Sequence, residues 1–318
     1  MMKSIVEADY THFLEPFQNC SLCPRQCNVD RLTGAAGWCR SDAGFNIASI
    51  CIHHGEEPVI GGEAGICNVF FDHCNLQCVY CQNDQISSNK LKHSVRYPSL
   101  QVVVDDILKC LDQGCKSVGF VSPSHYVPHV KMIVTALKDL GRNPVIVYNT
   151  NAYDRVETLR SLENIVDVYL PDFKYLDAAL AKRYSRAKDY PEVAMKALRE
   201  MYRQKGSSLI TDEEGVATSG ILVRHLVLPG QIENSVAALR FLAEEISTSI
   251  HISLMSQYAP TLAVQHFAGL NRGITQEEYR QVLEAFDELG FRNGFIQELE
   301  SGANYNPDFD RVHPFEGI

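Results

Sequence analysis

Three cysteines, Cys74, Cys78 and Cys81, stand in the run His73-Cys74-Asn75-Leu76-Gln77-Cys78-Val79-Tyr80-Cys81-Gln82-Asn83. At the spacing C-x3-C-x2-C they can hold three irons of a cubic iron–sulfur cluster. Most such clusters take four thiolates. A compact trio without a fourth partner nearby leaves one iron open to a small molecule. That iron can bind and reduce a ligand, which is chemistry no side chain performs alone.

A second group, Cys20, Cys23, Cys27 and Cys39, is spaced C-x2-C-x3-C-x11-C and can reach one metal. Zinc there would be a structural staple. A second iron–sulfur cluster would transfer electrons. The spacing decides neither. His53 and His54 are further candidate ligands or structural histidines. The remaining cysteines, Cys51, Cys67, Cys110 and Cys115, read as small buried hydrophobes. Eleven cysteines, seven of them in these two groups, point to metal rather than to disulfides.

The elements that must position these groups follow from the pattern of apolar residues. Residues 1–19 read as a short helix or arm. Residues 20–66 are rich in Cys and Gly and read as a metal-stapled extension, so the chain divides into 1–66 and 67–318. From Cys67 onward, apolar strands alternate with amphipathic helices. Strands are expected at 67–71, 117–121, 145–148, 165–170, 221–228 and 250–254. Asp154 with Glu157, and Thr275 with Glu278, match the capping-box pattern at two helix starts. The tail from Tyr305 to Phe309 is expected to pack over the sheet. Continuous apolar strands alternating with helices imply an α/β fold with a buried parallel sheet. Six units suggest a partly open barrel, and an open doubly wound sheet has the same pattern.

In parallel α/β folds the chemistry gathers at the C-terminal strand ends. After the first strand come the three cysteines. After the next two come Ser122, Ser124 and His125, then Asn149, Thr150 and Asn151. The fourth ends at Asp172-Phe173-Lys174. Asp172 and Lys174, two apart, face one side. They suit a ligand with both ammonium and carboxylate groups, or form a solvated pair. Arg224 lies inside the apolar run Ile221–Leu228 and needs an anionic partner. That partner is a structural carboxylate or a ligand.

These residues resemble the radical SAM enzymes, and within them the pyruvate formate-lyase activating enzymes that install a glycyl radical, most of all a divergent branch of that group. The resemblance spans essentially the whole chain. It rests on Asn19–Cys27, Gly37-Trp38-Cys39, Glu56-Glu57-Pro58, His73–Asn83 with its aromatic Tyr80, Asp172–Lys174 and Arg224–Gly230. It implies a partial (β/α)6 barrel of radical SAM type with a Cys-rich N-terminal extension. It implies a [4Fe–4S] cluster on Cys74, Cys78 and Cys81, with S-adenosylmethionine on the fourth iron. Reductive cleavage would give a 5′-deoxyadenosyl radical for hydrogen abstraction. Lys174 and Arg224 would join the cysteines in catalysis. Tyr80, Ser122, Ser124, Asn149, Thr150, Asp172 and Lys174 would line the cofactor site. The implied partners are a glycyl-radical protein or another protein substrate, and an electron donor such as flavodoxin or ferredoxin. The chain departs from the family in three places. Val121-Ser122-Pro123-Ser124-His125 replaces a Gly-Gly-Glu turn. Asn149-Thr150-Asn151-Ala152 replaces Asp-Thr-Asn-Gly. Met255-Ser256-Gln257-Tyr258 replaces a late histidine.

Composition bounds the alternatives. With 45% hydrophobic and 21% charged residues, the chain of 318 residues reads as soluble and globular. A net charge of −10 argues against a nucleic-acid partner. No apolar run approaches a membrane span. The acidic N-terminus is unlike a signal peptide, which places the chain in the cytoplasm. The rival class is a non-catalytic iron–sulfur carrier or zinc scaffold. A carrier needs four protein ligands per cluster and no cofactor pocket.

Overall fold

The computed structural model describes residues 9–90, 96–299, 307–311 and 313–315. Its strands are β1 (Ile47–His53), β2 (Ile66–Phe71), β3 (Ser117–Val121), β4 (Val145–Thr150), β5 (Val168–Pro171), β6 (Ile210–Thr211), β7 (Ala217–Leu226), β8 (His251–Met255) and β9 (Gly294–Ile296). The helices are α1 (Pro58–Gly61), α2 (Asp84–Ser87), α3 (Leu100–Asp112), α4 (Val127–Asp139), α5 (Val156–Arg160), α6 (Ala178–Ser185), α7 (Tyr190–Lys205), α8 (Ile232–Glu245) and α9 (Gln276–Glu288). A 3-10 turn covers Thr11–Phe17. The first eight residues of the expected arm lie outside the described residues, as do Tyr305 and Asn306 of the tail.

The strand order is β1-β2-β3-β4-β5-β7-β8-β9, with β6 paired to β7 alone. From β2 to β9 every neighbouring pair on this path is parallel, and β1 runs antiparallel to β2. The order never reverses. A doubly wound sheet would reverse it, so the path is that of a partial barrel. All six expected strands are present. Three were not anticipated. β1 hides in the Cys- and Gly-rich stretch, and β6 and β9 span two and three residues.

Alternation along the strands splits the sheet into two faces. Val69, Phe120, Tyr148, Tyr169, Val223 and Ile252 point into the large core under the helices. On the inner face, Ile60, Ile66, Val147, Val168, Leu170 and Leu222 form an apolar plug. Above this plug, toward the strand ends, the inner face turns polar. Phe309 closes over Phe70 with ring centroids 5.2 Å apart, so that part of the tail does pack on the sheet.

The Thr275–Glu278 capping box forms as expected. The one expected at Asp154 does not. Arg155 is the residue before α5, and no side chain caps that helix. The Asp154 carboxylate turns inward instead, accepting from Tyr148 at 3.0 Å and from Thr150. Among the described residues no helix is long and apolar enough to cross a membrane.

Candidate functional site

The loop after β2 carries the three cysteines, and each sulfur is met by a side-chain donor from a different part of the chain. The Ser185 hydroxyl, at the end of α6, donates to Cys78 Sγ at 2.9 Å. Ser87, in α2, donates to Cys81 Sγ at 3.2 Å. The Asn151 amide, just past β4, reaches Cys74 Sγ at 3.4 Å and Asn75 Oδ1 at 2.8 Å. The Leu76 backbone N–H adds a second donor to Cys74 Sγ at 3.4 Å. Hydrogen-bond donors aimed at sulfur are what an iron-bound thiolate requires. Burial raises all three thiols, Cys81 to about 11 with Cys78 adding. A metal must therefore displace their protons to take them.

Among the described residues no group of three or more His, Cys, Asp or Glu side chains closes around a single ion. A cubic cluster asks for something else, because each thiolate attaches to its own iron and the sulfurs surround a volume. The trio fits that demand in its donors, its burial and its neighbouring cation.

That cation is Lys174. Its Nζ lies 2.7 Å from Asp172 Oδ2, so the two do share a side. Burial alone would lower the Lys174 pKa. Asp172, Cys78 and Cys81 more than offset it and hold the ammonium above its usual value. Tyr190 fixes this strand end, donating toward the carbonyls of Asp172 at 2.8 Å and Asn151 at 3.0 Å while accepting the Lys174 N–H at 2.9 Å. A second tyrosine links to the cysteine loop. Tyr175 and Ser185 hydroxyls lie 2.8 Å apart, and Tyr80 and Tyr175 hydroxyls 2.5 Å apart. Since Ser185 gives its hydrogen to sulfur, the chain runs Tyr80 to Tyr175 to Ser185 to Cys78.

Arg224 resolves in favour of a structural partner. It grips Glu57 with Nε and Nη2 at 2.9 and 2.8 Å and also pairs with Glu56. Glu56 in turn accepts from Asn68 at 2.9 Å. This cluster lies on the inner face beside Asp172, to which Arg224 is bridged through the backbone. Of the two partners open to Arg224, the structure shows the carboxylates: Glu56 and Glu57, from the segment between β1 and α1, pair with it.

Other expected cofactor contacts are also redirected. Ser124 is fully buried and lies 3.4 Å from the Thr150 hydroxyl, which itself donates to Asp154. Both belong to the helix-facing side of the sheet and anchor the Asp154 carboxylate. The Tyr80 hydroxyl is spent on Tyr175, and its ring stands edge-on to Tyr258. Asn149 remains on the inner face by alternation with Val145 and Val147. Ser122 sits half-buried at the turn with φ of 50°. Sequence reasoning missed Ser185, Ser87, Tyr175 and Tyr190 as site residues. No local pattern marks them.

Backbone strain gathers in the same places. Among the described residues the non-glycine positions with positive φ are Gln26, Asn28, Arg40, His73, Ser122, Ala152 and Arg186. His73, Ala152 and Arg186 are chain neighbours of Cys74, Asn151 and Ser185, and Ser122 stands at the end of β3. Gln26, Asn28 and Arg40 lie among the N-terminal cysteines. Such conformations persist where surrounding structure imposes them, typically at functional sites.

The N-terminal cysteines are close neighbours of one another. Burial, with Cys39, Cys20 and Cys27 adding, pushes Cys23 up to about 12. The four leftover cysteines are buried as expected, and Cys67 and Cys110 also share a hydrogen bond. The His53 ring lies 4.0 Å from that of Phe315, and its Nδ1 is buried without a hydrogen-bond partner among the described residues. A cavity of about 1140 Å³ lies between β1, α3, Asp310, Arg311 and His313–Phe315, and none of the three loop cysteines lines it.

A family model described as the radical SAM superfamily matches residues 68–243, more than half of the chain. The chain belongs to the radical SAM superfamily, whose members cleave S-adenosylmethionine with the help of a [4Fe–4S] cluster. It is 30% identical over 274 residues to the uncharacterized protein MJ0674 of Methanocaldococcus jannaschii, covering 84% of this chain and 74% of that one. Among solved structures it is similar to Streptococcus suis SuiB bound to S-adenosylmethionine, at 13% identity and a TM-score of 0.48 over 71% of this chain and 48% of that one. SuiB bound to the precursor peptide SuiA is similar at 14% identity and a TM-score of 0.46, over 71% and 46% of the two chains. The chain thus spans about half the length of the SuiB structures it matches.

Proposed function

We propose that Cys74, Cys78 and Cys81 hold the [4Fe–4S] cluster and that the chain uses S-adenosylmethionine to abstract a hydrogen atom from a glycyl-radical protein. The observation that carries the radical chemistry is the trio at the strand ends, each sulfur met by its own donor, with the Lys174 ammonium beside it. When bound, the cluster and S-adenosylmethionine supply one-electron cleavage of the sulfonium to methionine and a 5′-deoxyadenosyl radical. The protein's own residues position and shield. Asp172 and Lys174 offer an anion and a cation side by side, matching the ammonium and carboxylate of the methionine part. Asn149 and Ser122 stand at the neighbouring strand ends, where a polar ligand group can be held. The apolar plug closes the bottom of the inner face against water.

The glycyl-radical acceptor is supported by the sequence resemblance of Asp172–Lys174 and Arg224–Gly230 to the activating enzymes. A flavodoxin or ferredoxin is the proposed electron donor, and the reducing cytoplasm the proposed setting. Cys20, Cys23, Cys27 and Cys39 are proposed as a second metal site.

The test is 5′-deoxyadenosine release from S-adenosylmethionine by anaerobically reconstituted, dithionite-reduced protein, with Cys78→Ala as control. Release by the wild type alone supports the reading. Equal release by Cys78→Ala, or none from a fully reduced cluster supplied with a glycyl-radical protein, overturns it.

A further inference from the structure

Arg31 is 1% exposed, yet among the described residues no carboxylate forms an ion pair with it. Its Nε and Nη2 donate to the Asp42 carbonyl at 3.1 and 2.7 Å, and its Nη1 to the His125 carbonyl at 2.6 Å. The guanidinium lies over the Phe17 ring at 4.0 Å and the Tyr126 ring at 5.0 Å. The Asp42 carboxylate lies near enough to feel the guanidinium but forms no ion pair with it, accepting instead from Gly44 N–H and Asn46. Carbonyls and rings satisfy donors but do not cancel a charge, and an uncompensated buried charge is costly.

The remaining contact of Arg31 names the missing anion. Nη1 also reaches Cys20 Sγ at 3.8 Å. Behind Cys20 stand Cys23, Cys27 and Cys39. The loops around them are shaped for sulfur: Trp38 N–H donates to Cys27 Sγ at 3.2 Å, and a Cβ on Gly37 would sit 2.7 Å from that same sulfur. Neutral thiols would leave Arg31 unbalanced. Four thiolates on a zinc ion, or on a [4Fe–4S] cluster in its oxidised form, both leave two negative charges.

We propose that Cys20, Cys23, Cys27 and Cys39 form an anionic tetrathiolate metal centre and that Arg31 is its internal counter-cation. This rests on the second-metal reading and goes beyond it by fixing the charge of the centre and the residue that balances it. The centre also braces the radical site. Arg25, between two of its cysteines, donates to the carbonyls of Asn75 and Arg186, both at 3.0 Å. The Asn89 amide bridges the carbonyls of Trp38 at 2.9 Å and Cys74 at 3.0 Å. Since the four thiols do not close on a single ion in this structure, metal uptake must draw them together or place a cluster among them.

The experiment uses the full chain carrying Cys74→Ala, Cys78→Ala and Cys81→Ala, so that bound metal reports the quartet alone. Zinc, iron and acid-labile sulfide are measured on anaerobic protein supplied with zinc, or with iron and sulfide. About one zinc, or about four irons with matching sulfide, is expected per chain, and Cys23→Ala should abolish it. Zinc without sulfide identifies the staple, and sulfide identifies the cluster. In the same background, Arg31→Met should surrender metal to a chelator at least about tenfold faster, and Arg31→Lys within about threefold of the parent. If the parent binds no metal, and the chain with its cysteines intact carries none beyond one cluster, both readings fall. Equal retention by Arg31→Met overturns the counter-cation role and leaves the second-metal reading standing. If Arg31→Met does not fold, Arg31→Lys decides: a loss as complete as that of Cys23→Ala would sink the charge argument.

Discussion

The Ser185 hydroxyl donates to the Cys78 sulfur at 2.9 Å across 107 residues of sequence, and two tyrosines are lined up behind it. A hydrogen bond to an iron-bound thiolate favours the reduced, more negative cluster. Hydroxyls in series polarise one another and strengthen the last bond. Ser185→Ala removes that bond at little cost in volume. A net bond of about 0.5–1.5 kcal/mol corresponds to roughly 20–60 mV for a one-electron couple. The cluster potential should fall by that amount in a redox titration followed by electron paramagnetic resonance. An unshifted potential in folded Ser185→Ala protein would show that the contact is packing only.

Gly119, on the inner face of β3, is held to glycine by close approach. A Cβ there would lie 2.1 Å from Asn68 Oδ1 and 3.0 Å from Ile66 Cδ1. Asn68 is not free to retreat, because its amide holds Glu56. Gly119→Ala should therefore destabilise the fold by about 1–3 kcal/mol, as overpacked core positions do. Urea unfolding would read this directly, and a change below about 0.5 kcal/mol would mean that Asn68 yields easily.

The part of this site that was legible in the sequence is the part encoded locally. Cys74, Cys78 and Cys81 lie within one loop, so their spacing announces them. The six barrel strands are apolar runs, and their order follows from chain order in a fold without reversals. Ser185 and Tyr175 carry no such signal, and Asn151 only that of its place after a strand. Ser185 and Asn151 reach the trio, and Tyr175 reaches Ser185 and Tyr80, only because the fold brings segments far apart in sequence together. Asp154 shows the opposite failure. Its spacing to Glu157 imitates a cap, but Tyr148 and Thr150 offer the carboxylate a buried site, and tertiary contacts prevailed over the local pattern. Arg224 was recognisable as needing an anion. Which anion it took depended on Glu56 and Glu57, more than 160 residues away.

Lys174 carries the positive charge facing Cys78 and Cys81, and its partner Asp172 is 2.7 Å away. Lys174→Met keeps most of the side-chain length and removes the charge. It also leaves the Asp172 carboxylate without its cation. The apparent KM for S-adenosylmethionine should rise at least about tenfold, since a charge-assisted contact is worth about 1.5–3 kcal/mol. Rates of 5′-deoxyadenosine release across a range of S-adenosylmethionine concentrations would test this. An unchanged KM with normal release would remove Lys174 from the cofactor site.

Arg224 with Glu56 and Glu57 makes the inner face sensitive to acid. Burial pushes the Glu56 carboxyl up, but Arg224, His53 and Asn68 together pull it further down, leaving it below its usual value. A carboxylate with a depressed folded pKa contributes stability above the unfolded value, about 4.3, and loses it as pH falls through the folded value. The wild type should thus be constant in this respect from neutral pH to about 5 and weaken below about 4. Arg224→Met leaves two carboxylates buried without their cation, at a cost of about 3–5 kcal/mol near neutral pH. In that variant only His53 and Asn68 still oppose burial of the Glu56 carboxyl, so the folded state should now bind its proton more tightly than the unfolded chain. Its stability should rise on acidification from pH about 7 toward 5, opposite to the wild-type slope below 4. Adding Glu56→Gln and Glu57→Gln should recover most of the loss and flatten the profile. Urea midpoints measured across this range would decide the matter, and parallel profiles for the wild type and Arg224→Met would refute the pairing as the source of the acid response.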